Sequence, residues 1–228
     1  MDKPDKKTEL TLTEKIVLLA LDNKGWFGSS EHNIKFGLAG AILFELAVLA
    51  RIEFKDNIVH VISTKSTGDP LLDRILNHIK SSKKNRNLRN WIQNFVYKKL
   101  LIRKTILKSL IEKKIIKKEE FSMLWVFYQF KYPILNTEIK ETIRKDLYDG
   151  IMQAGQPSDQ DIMFIIVMDT CKMVRKNFHH FDNYNKVCRR IKEITAFDDP
   201  KTGKENFFKA LYAAINRAIV TSKVSIHA

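Results

Sequence analysis

Apolar residues recur at helical spacing along most of this chain and alternate like a strand in only two places. The first helical run lies in Leu10 to Leu21. Thr11 and Glu14 stand there at capping-box spacing, which places a helix start, and Asn23-Lys24-Gly25 ends it. From Asn33 to Ala50 the chain is apolar on every side (Phe36, Leu38, Ile42, Leu43, Phe44, Leu46, Val48, Leu49), which predicts a buried helix. Its patch Gly37-Leu38-Ala39-Gly40-Ala41 leaves room for a close neighbour. Glu45 is an acid in that setting and needs a partner. Arg51 to Phe54 and Ile58 to Ile62 flank Asp56-Asn57, predicting a β-hairpin; helix followed by hairpin has a winged-helix rhythm. Asp69 before Pro70 opens another helix, with Leu71, Leu72, Ile75, Leu76 and Ile79 on its apolar face.

Leu88, Trp91, Ile92 and Phe95 mark the next helix. The period continues from Lys98 to Lys114, with Leu100, Leu101, Ile106, Leu107, Leu110 and Ile111 on one side. Lys99, Arg103, Lys104, Lys108 and Lys113 fill the other side. The most apolar and aromatic stretch, Ile115 to Pro133, follows directly. It predicts a second hairpin, with strands Ile115 to Lys118 and Leu124 to Tyr132 around a turn at Glu119 to Met123; Pro133 suits a strand end. Further helices are predicted from Asn136 to Ile151, Ile162 to Val174, Tyr184 to Phe197 and Phe207 to Val220, with a turn at Phe178 to Phe181. No repeat or low-complexity tract divides the chain. The expected architecture is mainly α: a mobile tail over 1–7 and a single compact helical domain over 8–222. It carries a small winged-helix-like β-hairpin and a second, projecting hydrophobic β-hairpin.

Composition changes the picture in one respect. The 228 residues are 44% hydrophobic and 29% charged, as in a folded globular protein, but the net charge is +14. So large an excess points to a polyanionic partner, either nucleic acid or an anionic bilayer surface. No apolar run approaches the ~20 residues that span a bilayer, and the charged start Met1 to Glu9 does not read as a signal peptide. The expected location is cytoplasmic, and any membrane contact peripheral. Cys171 and Cys188 fit no metal-binding spacing and are expected to stay reduced.

Candidate chemistry is sparse. There is no phosphate-binding glycine loop, no H-E-x-x-H and no G-x-S-x-G, and the six histidines are scattered. The chain therefore reads as a non-enzyme with no catalytic residue, metal or cofactor. The helix that would read DNA in a winged-helix arrangement, Phe36 to Leu49, has no Arg, Asn or Gln for base edges. Nonspecific nucleic-acid binding remains as an alternative. The membrane reading has two parts. Each Lys or Arg near an anionic leaflet contributes about 1 kcal/mol, weakened by salt. Each large side chain inserted from Phe121, Met123, Leu124, Trp125, Val126 and Phe127 adds roughly 2–3 kcal/mol. The same hairpin could be core, or the contact of a protein–protein adaptor or homo-oligomer.

Several of these segments, taken together, resemble the Golgi phosphoprotein 3-like (GPP34) family. They are Leu10 to Leu21; Gly37-Leu38-Ala39-Gly40-Ala41 through Ala47, with Arg51-Ile52; and Gly68-Asp69-Pro70-Leu71-Leu72-Asp73. Asn90-Trp91-Ile92, Lys108 to Lys113 and the hairpin up to Tyr132-Pro133 complete the match, over roughly residues 8–220. The resemblance implies a mostly helical domain with a projecting hairpin, bound peripherally to the cytosolic face of a membrane. Eukaryotic members recognise phosphatidylinositol 4-phosphate and retain glycosyltransferases as adaptors, with the hairpin associated with insertion and self-association. Expected partners are thus an anionic, phosphoinositide-like lipid, a second copy through the hairpin, and membrane-protein cargo. The family's lipid pocket uses a Trp where this chain has Ser30, an Arg where it has Ala39, and a pair of Arg of which one falls on Leu100 and the other is Arg103. Trp26, Lys35, Lys99 and Lys104 lie close enough in sequence to stand in around Arg103. The Lys/Ile/Asn-rich composition and the lack of a long polar N-terminal extension point to a prokaryotic member.

Overall fold

A computed structural model of the chain describes residues 9–98, 100–123, 127–197 and 202–224. Helix α1 (Leu12–Ala20) opens with a complete capping box: the Thr11 hydroxyl accepts from the Glu14 N–H, and the Glu14 carboxylate accepts from the Thr11 N–H. The same carboxylate also accepts from Lys113 Nζ at 2.7 Å and Ser109 Oγ at 2.8 Å, so one residue both caps α1 and ties it to the far end of the helix Ile102–Glu112. The other end of α1 is held by two cations, the buried Lys140 and the half-buried Lys176. Lys176 Nζ donates to the Ala20 carbonyl and Lys140 Nζ to the Leu21 carbonyl, each at 2.6 Å, which suits the negative end of a helix.

Helix α2 (Glu31–Val48) is the centre of the molecule, and α1 and the helices Leu88–Tyr97, Ile102–Glu112, Asp159–Thr170 and Gly203–Val224 all pack on it. Its small residues let two neighbours in closely. A Cβ on Gly37 would lie 2.7 Å from Cys171 Sγ, and one on Gly40 2.5 Å from Ile215 Cδ1. Strands β1 (Ile52–Lys55) and β2 (Ile58–Val61) form the expected first hairpin; Asp56 and Asn57 both take positive φ in its turn. Asp69 caps α3 (Pro70–Lys80) through the N–H groups of Leu71 and Leu72.

Three expectations change at this level. The helix expected to run on through Lys98 is two helices, α4 (Leu88–Tyr97) and α5 (Ile102–Glu112), separated at a left-handed Leu101. Arg74 fixes the break by donating to the Leu100 carbonyl and to Thr105 Oγ1, both at 3.0 Å. Leu101 is therefore exposed instead of lying on the apolar face. In the second hairpin, Glu119 to Met123 form strand β3 rather than the turn. They pair with β4 (Phe127–Lys131), and the connection runs through 124–126, outside the described residues. The reason is that Ile115 and Ile116 are core residues, so the free-standing ladder begins only where the chain leaves the core. The helix expected over Ile162 to Val174 is α7 (Asp159–Thr170); it stops at left-handed Lys172 and is followed by the short α8 (Val174–Phe178).

Helices α6 (Thr137–Met152), α9 (Tyr184–Ala196) and α10 (Gly203–Val224) complete the fold. The result is a mainly helical, single compact domain with two small antiparallel hairpins. No helix among the described residues is long and apolar enough to cross a membrane.

Candidate lipid-facing site

The loop from Asp22 to Ser30 organises the surface. Asp22 Oδ1 accepts from the N–H groups of Lys24 and Trp26, giving the loop a fixed turn. A 3₁₀ turn, Gly28–Ser30, then leads straight into α2. Consecutive loop residues serve opposite sides: Trp26 turns toward the second hairpin, while Phe27 lies under Arg103.

On the Phe27 side is an open basin of about 660 Å³, lined by the loop, the first turn of α2, the end of α4 and the start of α5. Its cations are Lys35, Arg103 and Lys104, and its one lining acid is Glu31. Arg103 stacks on Phe27 with Cζ 4.9 Å from the ring centre, and its Nη1 reaches Glu31 Oε1 at 3.2 Å. Both partners of that pair are well exposed, so it is a weak, easily exchanged contact. His32, also in the lining, gives its Nε2 to Ser222 Oγ at 2.8 Å. Its pKa is held down by burial first and then by the positive charges of Lys35 and Lys223. The N-terminus of α2 adds its own positive end to the basin. Such a surface can hold an anion the size of a phosphorylated head group. Leu101, exposed by the break between α4 and α5, adds an apolar shoulder to the same rim.

Of the residues expected to hold a head group, Lys35, Arg103 and Lys104 converge on this basin. Lys99 lies outside the described residues. Trp26 does not line the basin; its ring meets Phe121 edge-on, with centroids 6.2 Å apart. The basic arc of α5 is divided among tasks. Lys113 is turned inward to Glu14 and Lys108 pairs with Glu112 along the exposed face. The two pocket positions singled out by the resemblance, Ser30 and Ala39, are closed here: Ser30 Oγ donates to the Phe27 carbonyl, and Ala39 is fully buried.

On the hairpin, Phe121 and Phe130 are exposed. Met123 and Phe127 form the outermost described register pair, and Leu124, Trp125 and Val126 lie outside the described residues. Sequence reasoning missed Glu31, His32 and Leu101 in the basin, and Lys24, Lys117 and Lys131 at the hairpin root. A usable signal did exist for the last pair, because Lys117 and Lys131 flank the hairpin almost symmetrically.

A family model described as Golgi phosphoprotein 3 (GPP34) matches residues 12–218. Among curated proteins, the chain is similar to the vacuolar protein sorting-associated protein 74 of Eremothecium gossypii, with 28% identity over 158 residues. That alignment takes in 60% of this chain and 47% of the relative, so the chain spans about half the length of the relative it matches. The family match reaches from the first residue of α1 into the last helix and includes both the basin and the hairpin, and on that ground the chain belongs to the Golgi phosphoprotein 3 (GPP34) family.

Proposed function

We propose that this protein docks peripherally on the cytosolic face of a membrane. The basin holds anionic, phosphate-bearing (phosphoinositide-like) lipid head groups, and the tip of hairpin β3–β4 enters the bilayer. The observation that carries the reading is the convergence of Lys35, Arg103 and Lys104, from two separate helices, on one open basin at a helix N-terminus. Three cations at about 1 kcal/mol each give roughly 3 kcal/mol, far short of the ~8 kcal/mol of micromolar binding. The hairpin must supply the difference, and two or three inserted large side chains suffice at roughly 2–3 kcal/mol each. The names of the family and of the relative, a Golgi phosphoprotein and a vacuolar sorting protein, support membrane-protein cargo as a further partner. This is a binding role without catalysis. The second reading, self-association through the same hairpin, rests on the two open edges of its two-stranded sheet.

Vesicle flotation tests the proposal. Phosphatidylcholine vesicles with about 30% phosphatidylglycerol should recruit the protein strongly at low salt, and pure phosphatidylcholine weakly. Arg103→Gln/Lys104→Gln should lower recruitment roughly 10- to 30-fold, the equivalent of two lost cation contacts. Equal recruitment by neutral and anionic vesicles would sink the reading.

A further inference from the structure

We infer that the root of hairpin β3–β4 is a second lipid head-group site, separate from the basin. There Lys24, Lys117 and Lys131 hold the phosphate of an anionic glycerophospholipid. The inference deepens the membrane-docking reading and rests on it.

The site is a notch of about 480 Å³ lined by Lys24, Trp26, Lys117, Glu119, Phe121, Lys131 and Pro133. Three ammonium groups face one carboxylate. Lys117 Nζ and Lys131 Nζ share the two oxygens of Glu119, at 2.6 and 2.7 Å, and these contacts hold its pKa below the ordinary carboxylate value. One carboxylate cannot neutralise two ammonium ions, and Lys24 has no ion pair among the described residues. The notch therefore keeps a net positive charge in a fixed shape. It is fixed because the Tyr132 N–H donates to the Gly25 carbonyl at 2.9 Å, fastening the loop that carries Lys24 and Trp26 to the end of β4.

The order of residues along the hairpin says which anion fits. The register pairs Glu119 with Lys131 and Phe121 with Gln129 lie on the Trp26 side, and the next alternate pair in register is Met123 with Phe127. Charge thus gives way to aromatic and then to apolar positions over about 13 Å, four residues of strand. On the opposite face Lys118 Nζ sits 3.6 Å from the centre of the Phe130 ring, with the lysine nearer the root, but the pairs there are Glu120 with Phe130 and Ser122 with Tyr128, so the gradient belongs to the face toward Trp26 alone. A soluble phosphate compound has no use for that gradient. A bilayer has the same gradient, with phosphates outside, an aromatic-preferring interface below them and acyl chains beneath. Trp26, edge-on against Phe121, stands at the interfacial level. The arrangement places a head group at the root, at phosphate level, when the far end of the hairpin reaches acyl-chain depth.

The test uses the full chain and phosphatidylcholine vesicles containing about 30% phosphatidylglycerol at low salt. Lys24→Gln/Lys131→Gln should weaken vesicle affinity about tenfold or more, and Lys24→Gln alone, which breaks no ion pair, about threefold. A control pair on exposed α9 positions, Lys186→Gln/Lys192→Gln, should change affinity less than about twofold. The basin variant Arg103→Gln/Lys104→Gln is measured alongside. If it loses affinity while both root variants match the control, the root site is refuted and the docking reading stands. If the unaltered protein ignores anionic lipid, both fall. Should the double variant unfold, the single Lys24→Gln decides. Saturable binding of inorganic phosphate at micromolar concentration, lost in Lys24→Gln/Lys131→Gln, would reassign the notch to a soluble phosphate compound and overturn the lipid assignment.

Discussion

Glu45 on α2 shows how one residue sets a pH response. Its sequence context calls for a partner, and among the described residues the group that favours its charged form is the Leu12 N–H. Burial, followed by the nearby charges of Asp69 and Glu14, pushes its pKa from the usual 4.5 up to about 7. A carboxyl that binds its proton more tightly in the fold than in the unfolded chain stabilises least when ionised. Stability from this group is therefore full below pH 4.5 and is lost as the pH rises toward about 7. Glu45→Gln keeps an acceptor for the Leu12 N–H and removes the penalty. Discounted for partial exposure, the gain at pH 8 should be on the order of 2 kcal/mol, or about 4–8 °C in Tm. At pH 4 the two proteins should melt together. A gain of the same size at both pH values would show that the charge of Glu45 is not the cause.

Among the elements, the loop-to-hairpin joint carries the most consequence, and Gly25 is its hinge point. Its φ is +86°, and a Cβ there would lie 2.4 Å from the Pro133 nitrogen and the Tyr132 carbonyl carbon, backbone atoms that cannot turn aside. Gly25→Ala should cost about 2 kcal/mol or more and speed hydrogen exchange at the Tyr132 amide, as the loop separates from β4. Gly28 also has positive φ, but a Cβ there meets nothing within 4 Å, so Gly28→Ala should cost only about 1 kcal/mol. Equal losses from the two changes, with Tyr132 exchange unaltered, would remove the joint from the account. The joint also shows what was legible in the sequence. Local signals were: Thr11 with Glu14, Asp69 with Pro70, and Asp56-Asn57 each announced their own cap or turn. The break before α5 was not, because the apolar period runs on through Leu100 and Leu101, and the side chain that fastens the chain there, Arg74, comes from α3. The register of β3–β4 was hidden because the burial of Ile115 and Ile116 depends on the core as a whole. The basin was half legible. Arg103 and Lys104 stand together on α5, but Lys35 joins them through the packing of α5 on α2, while Trp26 is drawn off to the hairpin by Phe121.

For the molecule as a whole, the question is how much of the +14 charge is available to a partner. Lys113, Lys140 and Lys176 are committed to Glu14 and to the end of α1, and the Lys140 pKa falls to about 8 chiefly through burial. Six of the other cations line two hollows. These, the basin and the hairpin root, lie on either side of the Asp22–Ser30 loop, next to the apolar hairpin. That placement makes salt a discriminating variable. If docking combines charge with insertion, raising salt from about 0.05 M to about 0.5 M shortens the screening length several-fold and should cut recruitment to anionic vesicles by about tenfold or more. A remainder carried by the hairpin should persist. Under the competing reading, self-association through the exposed Phe121 and Phe130, salt acts in the opposite direction. Screening relieves repulsion between two strongly positive copies, so the mass measured by light scattering should rise with salt while lipid binding stays flat. Flotation and light scattering on one salt series thus separate the two. Membrane docking requires recruitment to fall with salt, and a rising mass with salt-independent recruitment would instead assign the hairpin to a second copy of the chain.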